Sequence, residues 1–234
     1  MKRSNIAALT VFFAAVPLTL FLGMRIPGRG YYVTATLIMI ELMIPLFMAF
    51  EGRRPQAREL TVLAVMCAVA VAGRVAIPIP HFKAAFALIM ITGIAFGPEC
   101  GFAVGAVTAF VSNFFLGQGA YLPWQMMAYG AGGLLSGFVF KKGLLPRKRI
   151  PMALFGTLAV VLWIGPLLDI SNAFLMASEL TPGVFAASLL SGLPVNLIQA
   201  SCTALVMFFF GVPLLDKLDR VRLKYGMTEG ADGI

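Results

Sequence analysis

Long apolar runs alternate along this chain with short breaks rich in glycine, proline or charge, at about 7–24, 33–50, 58–77, 84–97, 100–116, 122–140, 152–169 and 184–210. Roughly 20 helical residues cross a bilayer core, so the pattern predicts an all-α polytopic membrane protein with eight spans. The fourth run is short and is expected to be tilted or partly re-entrant against protein. From Ala84 to Phe140 the only charged side chain is Glu99, yet polar residues gather where the fifth run ends and the sixth begins. That placement predicts a polar pocket near one membrane face.

The breaks divide the chain. The stretch EGRRPQARE, Glu51 to Glu59, is its most charged internal segment and carries Pro55. It reads as a cytoplasmic linker over 51–57, between a two-helix extension (1–50) and a six-helix core (58–215), with a polar tail over 216–234. Within the core, Ala64, Ala68 and Ala72 recur every four residues and share one helical face, which permits close approach of another helix. Gly93, Gly97, Gly101 and Gly105 keep the same interval, but Pro98 breaks the row into two helix ends at a tight turn. Gly130, Gly132, Gly133 and Gly137 predict a further close crossing.

Composition agrees with the pattern: 60% of residues are hydrophobic, 12% are charged and the mean hydropathy is +0.92. The net charge of +8 would suggest nucleic acid in a soluble protein. Here the basic residues sit between apolar runs, so they are topology signals for a lipid bilayer and no nucleic-acid partner is expected. With eight spans, Lys2, Arg3, Arg53, Arg54, Arg58, the run from Lys141 to Arg149, Lys217, Arg220, Arg222 and Lys224 fall on one side. The positive-inside bias makes that side the cytoplasm, with both termini in it, as in a bacterial cytoplasmic membrane. Arg25, Arg29, His81 and Lys83 are exceptions on the outer side. The first run reads as a retained helix rather than a signal peptide, being long, interrupted by Pro17 and without a small-residue cleavage site. Cys67, Cys100 and Cys202 are too scattered for a disulfide framework or a thiolate site.

The outer side carries the candidate chemistry. Arg74 ends the third run, and the stiff loop IPIPHFKA follows with the only histidine, His81. Asn113, Gln118, Tyr121, Trp124 and Gln125 supply donors, acceptors and flat rings around a glycine-bearing loop. Asp169 and Asn172 close the seventh run; Asn196, Gln199 and Ser201 lie deeper in the eighth. Amides in hydrocarbon need partners or a wet cavity, and this set suits a polar, partly ring-like solute better than a bare ion. No HExxH, GxSxG, CxxC or Walker A motif occurs, so neither an enzyme nor an ATPase site is expected, nor any resident cofactor or metal.

These residues resemble the membrane-embedded substrate-binding S components of energy-coupling factor (ECF) vitamin transporters. The resemblance spans about 58–224 and rests on RELTVLAVMCAVAVAGRVA, PIPHFKAAFALIMITGIAFGPECGFAVGAVTAFVSNFFLGQG and YLPWQMMAYGAGGLLSGFVF before a basic loop. It implies six core helices and high-affinity capture in the outer half, under 78–83, 117–123 and 169–181. It further implies a T component docking on Ala64, Ala68 and Ala72, two cytoplasmic ATPases supplying energy, and release by toppling in the membrane. Residues 1–50 add two helices that such proteins commonly lack. For the substrate, the nearest resemblance is to cobalamin-type S components, with a queuosine precursor or pantothenate as alternatives; nickel and cobalt are disfavoured because no N-terminal histidine motif is present. Two other classes remain open: a stand-alone secondary transporter, and a non-transporting membrane assembly or regulatory protein.

Overall fold

The computed structural model of the chain describes residues 6–7, 10–23, 25, 30–53, 55–177 and 181–225. Lys2, Arg3, Arg29 and Arg54 of the charge pattern, residues 178–180 of the loop after Asp169, and the tail beyond Tyr225 lie outside them. Each predicted run is helical over most of its described residues. A π-helical turn Val11–Ala15 leads into α1 (Val16–Gly23), and α2 is Gly30–Gly52. The chain continues with α3 (Ala57–Val75), α4 (Ala85–Phe96), α5 (Pro98–Leu116), α6 (Leu122–Lys141), α7 (Arg149–Ala159), α8 (Gly165–Met176), α9 (Pro182–Val206) and α10 (Val212–Lys224). The π turns Val160–Ile164 and Met207–Gly211 join α7 to α8 and α9 to α10, so each pair forms one long rod.

Four stretches are long and apolar enough to cross a membrane: Tyr32–Gly52, Pro98–Leu116, Arg149–Leu175 and Pro182–Lys224. Three of the others depart for identifiable reasons. Helix α3 carries Arg58, Glu59 and Arg74, α6 is diluted by glycines and polar side chains, and α4 has only 12 residues.

Helix α4 is the centre of the bundle: all its residues except Leu88 are buried, as a helix apolar on every face requires, and its one hydroxyl, Thr92, donates to the Leu88 carbonyl. Around it, glycines let backbones meet. A methyl group placed on Gly93 or Gly101 would overlap the Gly133 carbonyl, one on Gly105 would overlap that of Tyr129, and one on Gly137 would strike Pro98. The two glycine rows of the sequence thus pack against each other, where close van der Waals contact replaces the hydrophobic drive that lipid cannot supply. Gly97 ends α4 at φ 101°, a conformation suited to glycine, and Pro98 opens α5.

Beyond Gly97 the chain gathers its arginines. The last carbonyls of a helix lack intrahelical donors, and three successive ones in α4 are met by side chains from three different segments. Arg147 donates to the Ile94 oxygen (3.1 Å), Arg222 to that of Ala95 (2.5 Å) and Arg53 to that of Phe96 (2.9 Å). Each guanidinium has a carboxylate: Arg53 meets Glu59 at 3.3 Å and Glu99 at 3.9 Å, Arg147 meets Asp219 at 3.3 Å, and Arg222 meets Asp219 at 3.7 Å. This is the basic end of the bundle. The 51–57 segment is therefore pinned through Arg53, and α10 packs through Leu215 and Leu218 while its last turn turns basic.

Helix α2 packs the N-terminal helices against α5 and α6. Phe47 meets Phe102 edge-on at 5.3 Å, and Met43 and Ala106 complete a small apolar cluster. Thr19 Oγ1 in α1 donates to Glu41 Oε1 in α2 at 2.5 Å, tying the hairpin with a carboxylate the hydropathy pattern conceals. On α3, Ala64, Ala68 and Ala72 are all exposed, along with Leu60, Val65 and Val69.

Candidate functional site

At the end of the bundle opposite the arginines, a cavity of about 480 Å³ opens between α3, the loop into α4, α6, α8 and α9. Its volume falls within the ~300–1,000 Å³ of small-molecule sites. Seven of the ten residues proposed from sequence line it: Arg74, His81, Tyr121, Gln125, Asp169, Asn172 and Asn196.

Arg74 lies in the last turn of α3 and is only 8% exposed. Its Nη1 donates to Ser112 Oγ and to Asn113 Oδ1 (3.0 Å), its Nη2 donates to Gln125 Oε1 (3.3 Å), and its guanidinium stands 5.0 Å from the Tyr129 ring centre. Asn113 Nδ2 also donates to Gln125 Oε1 at 2.8 Å, closing a ring of neutral acceptors around the cation. Asn113 is thus a buried support behind Arg74 rather than part of the wall.

Helices α8 and α9 form the other polar wall. Asn196 Nδ2 donates to Asp169 Oδ2 at 2.7 Å. Both side chains sit in glycine notches: a methyl on Gly165 would strike the Asn196 amide, and one on Gly192 the Asp169 carboxylate. One turn beyond Asn196, Gln199 lines the same cavity, and its buried Oε1 has no protein donor. The π turn before Gly165 lies directly below this pair; such turns re-aim side chains within a helix.

The loop between α3 and α4 supplies Pro80, His81 and Lys83. His81 adopts φ 59°, a left-handed conformation that histidine tolerates better than most residues. The Lys83 ammonium donates to the Ile77 carbonyl within the loop. Helix α4 then begins at the cavity with Ala85 and Phe86, and its N-cap, Ala84, has no side chain able to cap it.

Besides Asn113, two proposed residues stand apart from the lining. Trp124 is buried and stacks on Phe174 at 5.4 Å, while its Nε1 lacks an acceptor. Gln118 is exposed and donates to the Phe110 carbonyl at 3.3 Å. Conversely, Lys83, Phe86, Tyr129 and Ser171 join the cavity without having been singled out as ligand contacts. Tyr129 was legible in principle, because it follows Gln125 by four residues and shares its helical face. Among the described residues, no cluster of three or more His, Cys, Asp or Glu converges as a metal site would.

The site therefore presents a buried cation held by neutral groups, a carboxylate held by an amide, an orphan amide oxygen, and Phe86 packed edge-on to Tyr129 at 4.7 Å. That set can hold a polar ring in place, but supplies no nucleophile with an adjacent base. No curated protein and no solved structure matches the chain. The model of the family described as ECF-type riboflavin transporter, S component, matches residues 55–219, more than two thirds of the chain.

Proposed function

The chain belongs to the S-component family of ECF-type riboflavin transporters, and we propose that it captures a flat, water-soluble vitamin of flavin size in the cavity between α3, α6, α8 and α9. The observation that carries this reading is the coincidence, in a chain of that family, of a 480 Å³ cavity with hydrogen-bonding groups on two walls and aromatic rings between them. A flavin offers a planar ring with donors and acceptors along one edge, which suits Gln199, Asn196 and Gln125. The volume favours such a molecule over cobalamin, whose macrocycle and nucleotide tail need more room.

In this reading the protein crosses a bacterial cytoplasmic membrane eight times, six times in the core and twice in the extension. The arginine end is cytoplasmic and the cavity faces outward, as the positive-inside bias supports. Uptake is driven by a T component and two ATPases. The exposed face of Ala64, Ala68 and Ala72 receives the T component, and α2 leaves it free by packing instead on α5 and α6.

Native mass spectrometry of the protein extracted from its own cells tests this. A flavin-mass adduct together with a T component and two ATPases is the expected result. A chain that carries no vitamin and travels with some unrelated membrane complex would sink the proposal.

A further inference from the structure

We propose that the captured molecule is an anion: a ring-bearing vitamin whose side chain ends in a phosphate or carboxylate, received by Arg74, Lys83 and the first turn of α4. The inference rests on the reading of this cavity as the capture site. It starts from a charge imbalance. Arg74 is 92% buried at a membrane-embedded site, and every partner of its guanidinium is neutral: Ser112, Asn113, Gln125 and the face of Tyr129. A charge held away from water without an opposite charge is costly, and is retained where function requires it.

Two further positive features meet the same space. Lys83 lines it with an ammonium that carries three donors, of which the Ile77 carbonyl takes one. Helix α4 enters it N-terminus first, through Ala85 and Phe86, with no side-chain cap at Ala84. The first N–H groups of a helix have no intrahelical acceptors, and the helix dipole adds partial positive charge there. Among the described lining residues the one carboxylate is Asp169, already engaged by Asn196. Arginine and lysine thus outnumber acid in the lining of the cavity, and a ligand carrying one anionic group balances them. The arrangement also orients the ligand, with its anionic end toward α3 and α4 and its ring edge toward Asn196 and Gln199.

Calorimetry on the purified full-length protein in lipid nanodiscs tests the idea with two matched pairs: riboflavin and its phosphate monoester, pantothenate and its neutral alcohol analogue. The expected result is that the phosphate monoester binds at least about tenfold more tightly than riboflavin, the scale of one added charge-assisted hydrogen bond. That ratio should fall toward one in Lys83→Gln, a loop substitution that leaves the helix packing alone, and in Arg74→Gln, but persist in Arg74→Lys. Riboflavin binding as tightly as its phosphate, or a ratio untouched by Lys83→Gln, would overturn the inference while leaving flavin capture intact. Pantothenate, which has no ring, bound in preference to its alcohol with neither flavin bound, would uphold the anion site and overturn the ring-bearing vitamin, flavin included. Silence from all four compounds would remove both.

Discussion

At one end of α4, three successive backbone carbonyls are met by Arg147, Arg222 and Arg53, and each of those arginines has a carboxylate within 4 Å. At the other end, Ala84 provides no cap, and the nearby Arg74 is surrounded by neutral groups beside the cavity. The same side chain therefore serves two purposes. Where guanidinium, carboxylate and carbonyl satisfy one another, the protein has finished its own structure, and nothing further is needed there. Where the cation and the helix terminus are left short of negative charge, the arrangement is completed from outside. Sequence composition treats the four arginines alike; their partners separate them.

The comparison can be broken in order of expected effect. Arg74→Ala should weaken ligand capture by about 100-fold or more, because it removes the cation and strands the buried Asn113 oxygen, leaving Gln125 Oε1 with Asn113 as its donor, as calorimetry would register. Arg53→Ala should leave capture intact at low temperature but cost about 3 kcal/mol of stability, since it uncovers the Phe96 carbonyl and leaves the buried Glu59 without its cation. Thermal unfolding in detergent, with and without ligand, separates the two behaviours; equal losses of capture in both variants would erase the distinction between the ends. Asp169→Asn should sharpen the contrast by removing the one acid of the lining, tightening capture of an anionic ligand by several-fold while a neutral analogue changes less. Gln118→Ala should change affinity by less than about twofold, because its amide is exposed and spent on the Phe110 carbonyl. A large loss there would extend the site beyond the cavity.

Much of this architecture is legible in the hydropathy pattern, because a bilayer imposes long apolar helices and glycine and proline mark their ends. Gly97 and Pro98 divide α4 from α5 where the sequence places the break. Hydropathy misses how far the last helical rods run. The seventh run, 152–169, lies within Arg149–Leu175, and the eighth, 184–210, within a rod that reaches Lys224. Past Gly211 the helix is amphipathic, with Leu215 and Leu218 inward and charges outward, so it no longer registers as a span. The site is legible in kind, since amides and aromatics at apolar helix ends announce a polar cavity. Which of them line it depends on helix rotation and distant pairing. Asn113 and Gln125 are joined by their own hydrogen bond, Trp124 turns toward Phe174, and Lys83 looks like a stray exception to the charge rule until α4 is seen to begin beside it. Glu41 likewise vanishes into an apolar run until Thr19 is placed opposite it.

The brevity of α4 bears on what the protein can admit. Twelve residues rise ~18 Å, whereas the hydrocarbon layer is ~30 Å thick, so the central helix is roughly two turns shorter than a full crossing. Its C-terminal end is held by the arginines, and at its N-terminal end, beside the cavity, the 76–84 loop takes over. Ligand size is then set by a chain length rather than by any single side chain. One added turn at Ala85 would plug the chamber without touching a polar contact, and one fewer would admit a bulkier guest.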